Sequence, residues 1–296
     1  MPYRSDDLIT SITLAEHYRA PLGVYIMDDQ NVYALVIPDA LMHEFLSKCS
    51  IRFATHPELR EAYENKYGLE FHILPAVVPH ELVFEGSKPA DFGERISSSG
   101  VLIGSLWSKQ WFDSLSAAAC GAGLKLDWYG NTKYPWMDIE IGQDKQVGIN
   151  AHGLIPESEL AEKMKQAAFV IVPTGTLDAN DDRKDLSMMS LPGRIILAMA
   201  TSNTPVIITG SRETAAAHFV ERFGVGVTCD YDAKSLREAV DYVTAPQMQR
   251  QMRERAASIA SQFAVEHMHQ WLWESIRLGQ PKDQRFEKLF PRDISN

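Results

Sequence analysis

Residues 190–194 read Ser-Leu-Pro-Gly-Arg and lead into a run of small and apolar residues, IILAMA. Ser near an N-cap and Pro in a first turn are what a helix start requires, and the unpaired N–H groups there bind anions. Arg194 falls in that first turn, where a cation opposes the helix dipole unless an anion lies between them. The chemistry indicated by Ser190, Pro192, Gly193 and Arg194 is therefore phosphate binding. The plain alternative places Arg194 in solvent or pairs it with Asp178, Asp181, Asp182 or Asp185 in the preceding polar stretch. A second candidate is VLIGSLWSK at 101–109. Here Gly104 follows an apolar run and admits a close approach, and Ser105 and Lys109 come next, where open α/β sheets bind ligands.

These residues need elements to hold them. Short apolar runs at 22–28, 51–54 and 71–78 alternate with helical stretches at 38–48 and 57–67, a β-α-β-α-β order. The Gly-, Ser- and charge-rich segment 85–100 marks a boundary. A second unit follows, with strands expected at 101–104, 124–129, 147–150, 168–172, 205–208 and 225–228. Helices are expected between most of them, near 109–121, 156–167, 192–202, 211–223 and 233–244. Alternation of this kind builds parallel sheets covered on both faces. The domain division expected is 1–95, 96–262 and a C-terminal helix and tail, 263–296, suited to pack back on the first lobe. That lobe has one β-α-β-α-β half where a doubly wound domain has two, so it is either trimmed or part of a longer chain.

Composition bounds the remaining possibilities. The chain has 296 residues, 45% of them hydrophobic and 23% charged, and a formal charge of −10; its mean hydropathy is −0.20. This describes an ordinary water-soluble globular protein whose surface offers no general attraction to nucleic acid. Cys49, Cys120 and Cys229 are scattered and odd in number, which fits a reducing, cytoplasmic setting and neither a disulfide framework nor zinc. No stretch approaches the length of a membrane span. His267 and His269, two apart on a helix, point in different directions and do not suggest a shared metal. The G-x-G at Gly224 and Gly226 precedes a strand and lacks a third Gly, which argues against NAD. Among the tryptophans, Trp107 and Trp136 would stack on a sugar or base if exposed at the site.

The order IGSL (103–106), DWYGN (127–131), a Gly-Leu-Ile-Pro turn with ELAEKM (153–164), AFVIVP (168–173), SLPGRIILAMA (190–200) and NTPVI (203–207) resembles GT-B glycosyltransferases of the family-4 type over about residues 50–275. The resemblance implies two Rossmann-like domains (GT-B), the first incomplete, facing a cleft. It further implies transfer of a sugar from a nucleotide-diphosphate-sugar donor to a carbohydrate or lipid-linked acceptor, with retention and without a metal or resident cofactor. Arg194 would neutralise the diphosphate, Gly104 and Ser105 would line the opposite side with Lys109, Thr174 and Gly175 would border the sugar-phosphate, and His152 and Gly153 would flank the base. Asp28, at the end of the first apolar run beside Asp29, would face an acceptor hydroxyl, or lie in a solvated turn. Two glutamates expected around the 190–200 helix correspond to Met189 and Leu197, so a catalytically silent nucleotide-binding or partner subunit is the alternative. A nucleotide-sugar epimerase is a third reading. Peripheral membrane contact and homo-oligomer formation are compatible with this picture.

Overall fold

The computed structural model describes residues 2–84, 86, 99–138, 148–264 and 266–292. The chain divides into two compact units, residues 1–76 with 265–296, and residues 77–264.

The first unit opens with a helix that the sequence reading did not anticipate, α1 (Ser5–Tyr18). Leu8, Ile12 and Ala15 share one face at helical spacing, and of the helix only Leu8 is buried. The Asp7 carboxylate starts it by accepting the N–H groups of Tyr3 and Arg4, both at 3.0 Å. The chain then forms β1 (Gly23–Ile26), α2 (Asp39–Lys48), β2 (Ile51–Ala54), α3 (Pro57–Tyr67) and β3 (His72–Ile73). These strands make a parallel sheet in the order β1-β2-β3. The third is two residues long, against the 71–78 expected, since Pro75 has no N–H to continue the ladder.

The C-terminal segment of this unit supplies two more helices, Met268–Leu278 and Arg285–Leu289. The Trp271 ring lies 5.7 Å from Phe53 of β2 and 5.4 Å from Phe286. Glu287 accepts from the buried Arg60 at 2.9 Å and from the Ile73 N–H of β3 at 2.7 Å. Burial lowers the pKa of the neighbouring His72. His267 is the exposed left-handed residue before the helix and His269 lies in its first turn.

The second unit contains a six-stranded parallel sheet. Its chain order is β4 (Ser99–Ile103), α4 (Lys109–Gly121), β5 (Lys125–Tyr129), the hairpin β6 (Lys133–Tyr134) and β7 (Met137–Asp138), β8 (Ile149–Gly153), α5 (Glu157–Gln166), β9 (Val170–Pro173), α6 (Lys184–Ser187), α7 (Gly193–Ser202), β10 (Val206–Thr209), α8 (Ala215–Phe223), β11 (Gly226–Cys229), α9 (Ala233–Thr244) and α10 (Pro246–Ala260). The spatial order is β11-β10-β9-β4-β5-β8. The sheet thus grows from β4 toward β8 first, then restarts on the other side of β4 with β9.

β9 and β10 are buried along their whole length and carry Val-Ile-Val-Pro and Val-Ile-Ile-Thr, as strands covered on both faces must. Gly224 stops α8 with φ +60°, and a side chain at Gly226 would strike the Val206 carbonyl, so both glycines serve packing. The buried Arg253 on α10 donates to Gln249 at 2.7 Å and to the Ala167 carbonyl at 2.8 Å, fastening that helix to the body of the unit.

Candidate functional site

Strand order locates the first place to look. In open parallel sheets ligands lie beyond the carboxyl ends of the strands, at the point where the order reverses. In this sheet that point falls between β4 and β9, and Arg194 occupies it. Its Nη1 donates to the Ile103 carbonyl of β4 at 3.1 Å and to the Ser105 carbonyl, and its Nη2 reaches the Pro173 carbonyl of β9 at 3.4 Å. Its buried Nε has no hydrogen-bond partner among the described residues. Burial lowers the guanidinium pKa to about 10, which leaves it cationic at neutral pH.

The four aspartates that offered Arg194 an ordinary ion pair are engaged elsewhere. Asp181 accepts from Trp111 Nε1 at 3.2 Å and from the N–H groups of Leu177 and Arg183. Asp182 accepts from Ser108 Oγ at 2.6 Å, Asp178 from the Asn180 N–H, and Asp185 lies 3.9 Å from Arg183. No ion pair joins Arg194 to a carboxylate among the described residues. A cation held only by carbonyl dipoles keeps its net charge for a ligand.

The helix that carries Arg194 differs at its start from α4, α5, α8 and α9. Ser108 accepts from Trp111 N–H at the start of α4, Thr214 caps α8, and Asp232 caps α9 with two bonds. The first turn of α5 carries Glu157 and Glu159, which would repel an anion. The start of α7 has neither a side-chain cap nor an acid; its N-cap is Pro192. Ser190 therefore lies two residues upstream of the cap and makes no capping bond. The Ile195 N–H closes back on the Pro192 carbonyl at 2.9 Å, and the Gly193 and Arg194 N–H groups remain for an incoming anion.

Glycines make room here. Gly104 follows β4 with φ +81°, and a Cβ on it would approach Arg194 Cδ to 2.8 Å. Gly175, after β9, packs where a Cβ would collide with Ser187 Oγ and Asp181. Thr174 is buried, donates its N–H to Thr209 at 2.8 Å, and accepts from the Tyr231 hydroxyl at 2.7 Å. Tyr231 and Tyr134 were not singled out in the sequence, because their roles come from strands and loops far apart in the chain. Tyr231 reaches from beyond β11 to the end of β9, and Tyr134 from the β6–β7 hairpin to the Leu106 N–H at 3.2 Å.

The structure thus gathers Gly104, Ser105, Thr174, Gly175, Pro192, Gly193 and Arg194 around one end of the β4–β9 junction. Lys109 is the first residue of α4, but its ammonium is exposed and paired with Asp113 at 2.5 Å. His152 lies on the edge strand β8, bonded to Asp127 at 2.7 Å and stacked on Tyr129 at 4.7 Å; Gly153 ends that strand with φ +78°. Asp28 belongs to the other compact unit, exposed after β1, and accepts from the Tyr3 hydroxyl at 3.2 Å. Its neighbour Asp29 is buried and gathers the N–H groups of residues 31–34. Among the described residues no cluster of His, Cys, Asp and Glu could hold a metal.

Comparison with solved structures bears on the fold. Sucrose-phosphate synthase from Thermosynechococcus elongatus superposes with a TM-score of 0.64 over 93% of this chain and 72% of that chain, at 15% identity. The fold is of the GT-B type. Lower scores are found for WaaG, a glycosyltransferase involved in lipopolysaccharide biosynthesis (TM-score 0.47, 12% identity, 77% of this chain and 62% of that one), and for the calicheamicin glycosyltransferase CalG4 (0.45, 12%, 99% and 73%). No family model and no curated protein matches the sequence. No helix among the described residues is long and apolar enough to cross a membrane.

Proposed function

We propose that this chain is a glycosyltransferase that moves a sugar from a nucleoside-diphosphate-sugar to a carbohydrate or lipid-linked acceptor. The observation that carries the reading is Arg194: a half-buried cation without a carboxylate partner among the described residues, at the switch point of the sheet and the open start of α7. Negative charge grows on a departing nucleoside diphosphate, and fixed N–H dipoles with a guanidinium stabilise it at the moment of transfer. No metal is required for that stabilisation. Gly104 and Ser105 on one side and Thr174 and Gly175 on the other would border the diphosphate and the sugar. His152 and Gly153 would flank the base, Lys109 would release Asp113 to reach the donor, and Asp28 would address the acceptor hydroxyl. Retention of configuration, a cytoplasmic setting, peripheral membrane contact and self-association belong to the same reading.

One observation favours a silent nucleotide-binding homologue. Met189, which is buried, and Leu197 stand where the family resemblance places two glutamates, so neither can accept a hydrogen bond from a sugar or ribose hydroxyl. Turnover separates the two. Incubation with uridine, guanosine, adenosine and thymidine diphosphate sugars should release the nucleoside diphosphate slowly from one of them without acceptor. A chain that binds one of these donors and never releases product is the silent homologue; interconversion of sugar isomers without release would mark an epimerase.

A further inference from the structure

The segment between β4 and α4 is tied down at five consecutive residues. Gly104 donates its N–H to the Tyr129 carbonyl at 2.9 Å, and its carbonyl accepts from Trp128 Nε1 at 3.0 Å. The Ser105 carbonyl accepts from Arg194, and the Leu106 N–H donates to the Tyr134 hydroxyl at 3.2 Å. The Trp107 carbonyl accepts from Arg183 at 3.2 Å, and Ser108 Oγ donates to Asp182 at 2.6 Å. Leu106 is fully buried, yet the next side chain, the Trp107 indole, is 53% exposed and stacks on no other ring or cation among the described residues.

The contrast with the other tryptophans is informative. Trp111, Trp128 and Trp271 are buried. Trp136 lies against Tyr134 with ring centroids 4.9 Å apart and planes 9° from parallel, so one of its faces is already covered. Trp273 is exposed on a helix of the first unit. Trp107 is the exposed indole of the site: a large, amphipathic ring on a backbone that is already ordered, so a ligand stacking on it need not immobilise the loop.

The place of Trp107 selects the ligand. It stands two residues after Ser105, whose carbonyl touches the Arg194 guanidinium, so its Cα lies within about 7 Å of the Ser105 Cα. In a nucleoside-diphosphate-sugar the sugar is bonded directly to the terminal phosphate, whereas the base is separated from it by a ribose and a second phosphate. Across the junction, on the segment that follows β9, Thr176 has a buried hydroxyl with no partner among the described residues. A pyranose ring offers C–H groups on its face and hydroxyls on its rim, and these two residues have the matching chemistry.

We propose that Trp107 is the platform for the sugar ring of the donor, with the Thr176 hydroxyl addressing that sugar's rim. This rests on the reading of Arg194 as the diphosphate site. The test compares wild type, Trp107→Ala, Trp107→Phe and Arg194→Ala by calorimetric titration with the four nucleoside diphosphates and their glucose conjugates. Trp107→Ala should weaken the sugar conjugate about 2- to 10-fold and leave the bare nucleoside diphosphate within about twofold, with Trp107→Phe restoring most of the loss. Arg194→Ala should weaken both ligands together. If Trp107→Ala affects both equally, or neither, the platform is wrong while the Arg194 site stands. If Arg194→Ala changes neither, or wild type binds none of the panel, the diphosphate reading falls and the platform with it.

Discussion

A guanidinium that spends its hydrogen bonds on main-chain carbonyls retains its positive charge, and at Arg194 that charge faces the open end of a helix. Arg194→Lys should bind a nucleoside diphosphate more weakly than wild type, because an ammonium lacks the planar fork that spans two phosphate oxygens; titration against the same ligands checks it. Gly104 is the other sensitive residue. Gly104→Ala adds a methyl at φ +81°, close to Arg194 Cδ, and should cost about 1–2 kcal/mol in urea unfolding as well as weaken ligand binding. The cysteines divide by burial, which pushes the thiols of Cys49 and Cys229 up to about 12. An alkylating reagent at pH 7.5 should therefore modify the exposed Cys120 in the folded chain and all three after denaturation. The helix start was legible in the sequence at SLPGR. The partners of Arg194 were not, since Ile103, Ser105 and Pro173 lie 91, 89 and 21 residues away in the chain.

Among the elements, helices and strands of the second unit follow their sequence patterns closely, because buried parallel strands and amphipathic helices leave strong apolar signatures. What the patterns did not show is how the loops are built. The loop after β1 is organised by Asp29, whose carboxylate accepts four backbone N–H groups. Asp29→Ala should destabilise the protein by about 2–3 kcal/mol in chemical denaturation, whereas Asp28→Ala, one residue earlier and exposed, should leave stability nearly unchanged. Asp28 and Asp29 are adjacent carboxylates in the sequence, and only the fold assigns them different work. The β3 edge adds a pH dependence. Burial disfavours the charged form of His72, with Glu70 and Glu287 opposing and Arg292 and Arg52 reinforcing that effect. The unfolded chain therefore binds this proton more readily than the folded one. Stability is complete above the ordinary histidine pKa of 6.5 and declines as pH falls below it. His72→Gln should flatten that decline in thermal melts between pH 7 and pH 5.

At the scale of the molecule, two units of unequal size share the chain, a three-stranded sheet in one and a six-stranded sheet in the other. The alternation of strands and helices foretold both. The tail's return to the first unit rests on Trp271 and Glu287, whose partners Phe53, Arg60 and Ile73 lie more than 200 residues away in chain order, and for which local patterning leaves only an aromatic helix as a hint. In the proposed function the larger unit receives a nucleoside diphosphate on Arg194. Calorimetric titration of wild type and Arg194→Ala with uridine, guanosine, adenosine and thymidine diphosphates, at low ionic strength where exposed charge is least screened, tests it most directly. One nucleoside diphosphate should bind wild type and bind Arg194→Ala about 10- to 100-fold more weakly, the worth of a charge-assisted pair of hydrogen bonds. Equal affinity in the two proteins would contradict the assignment.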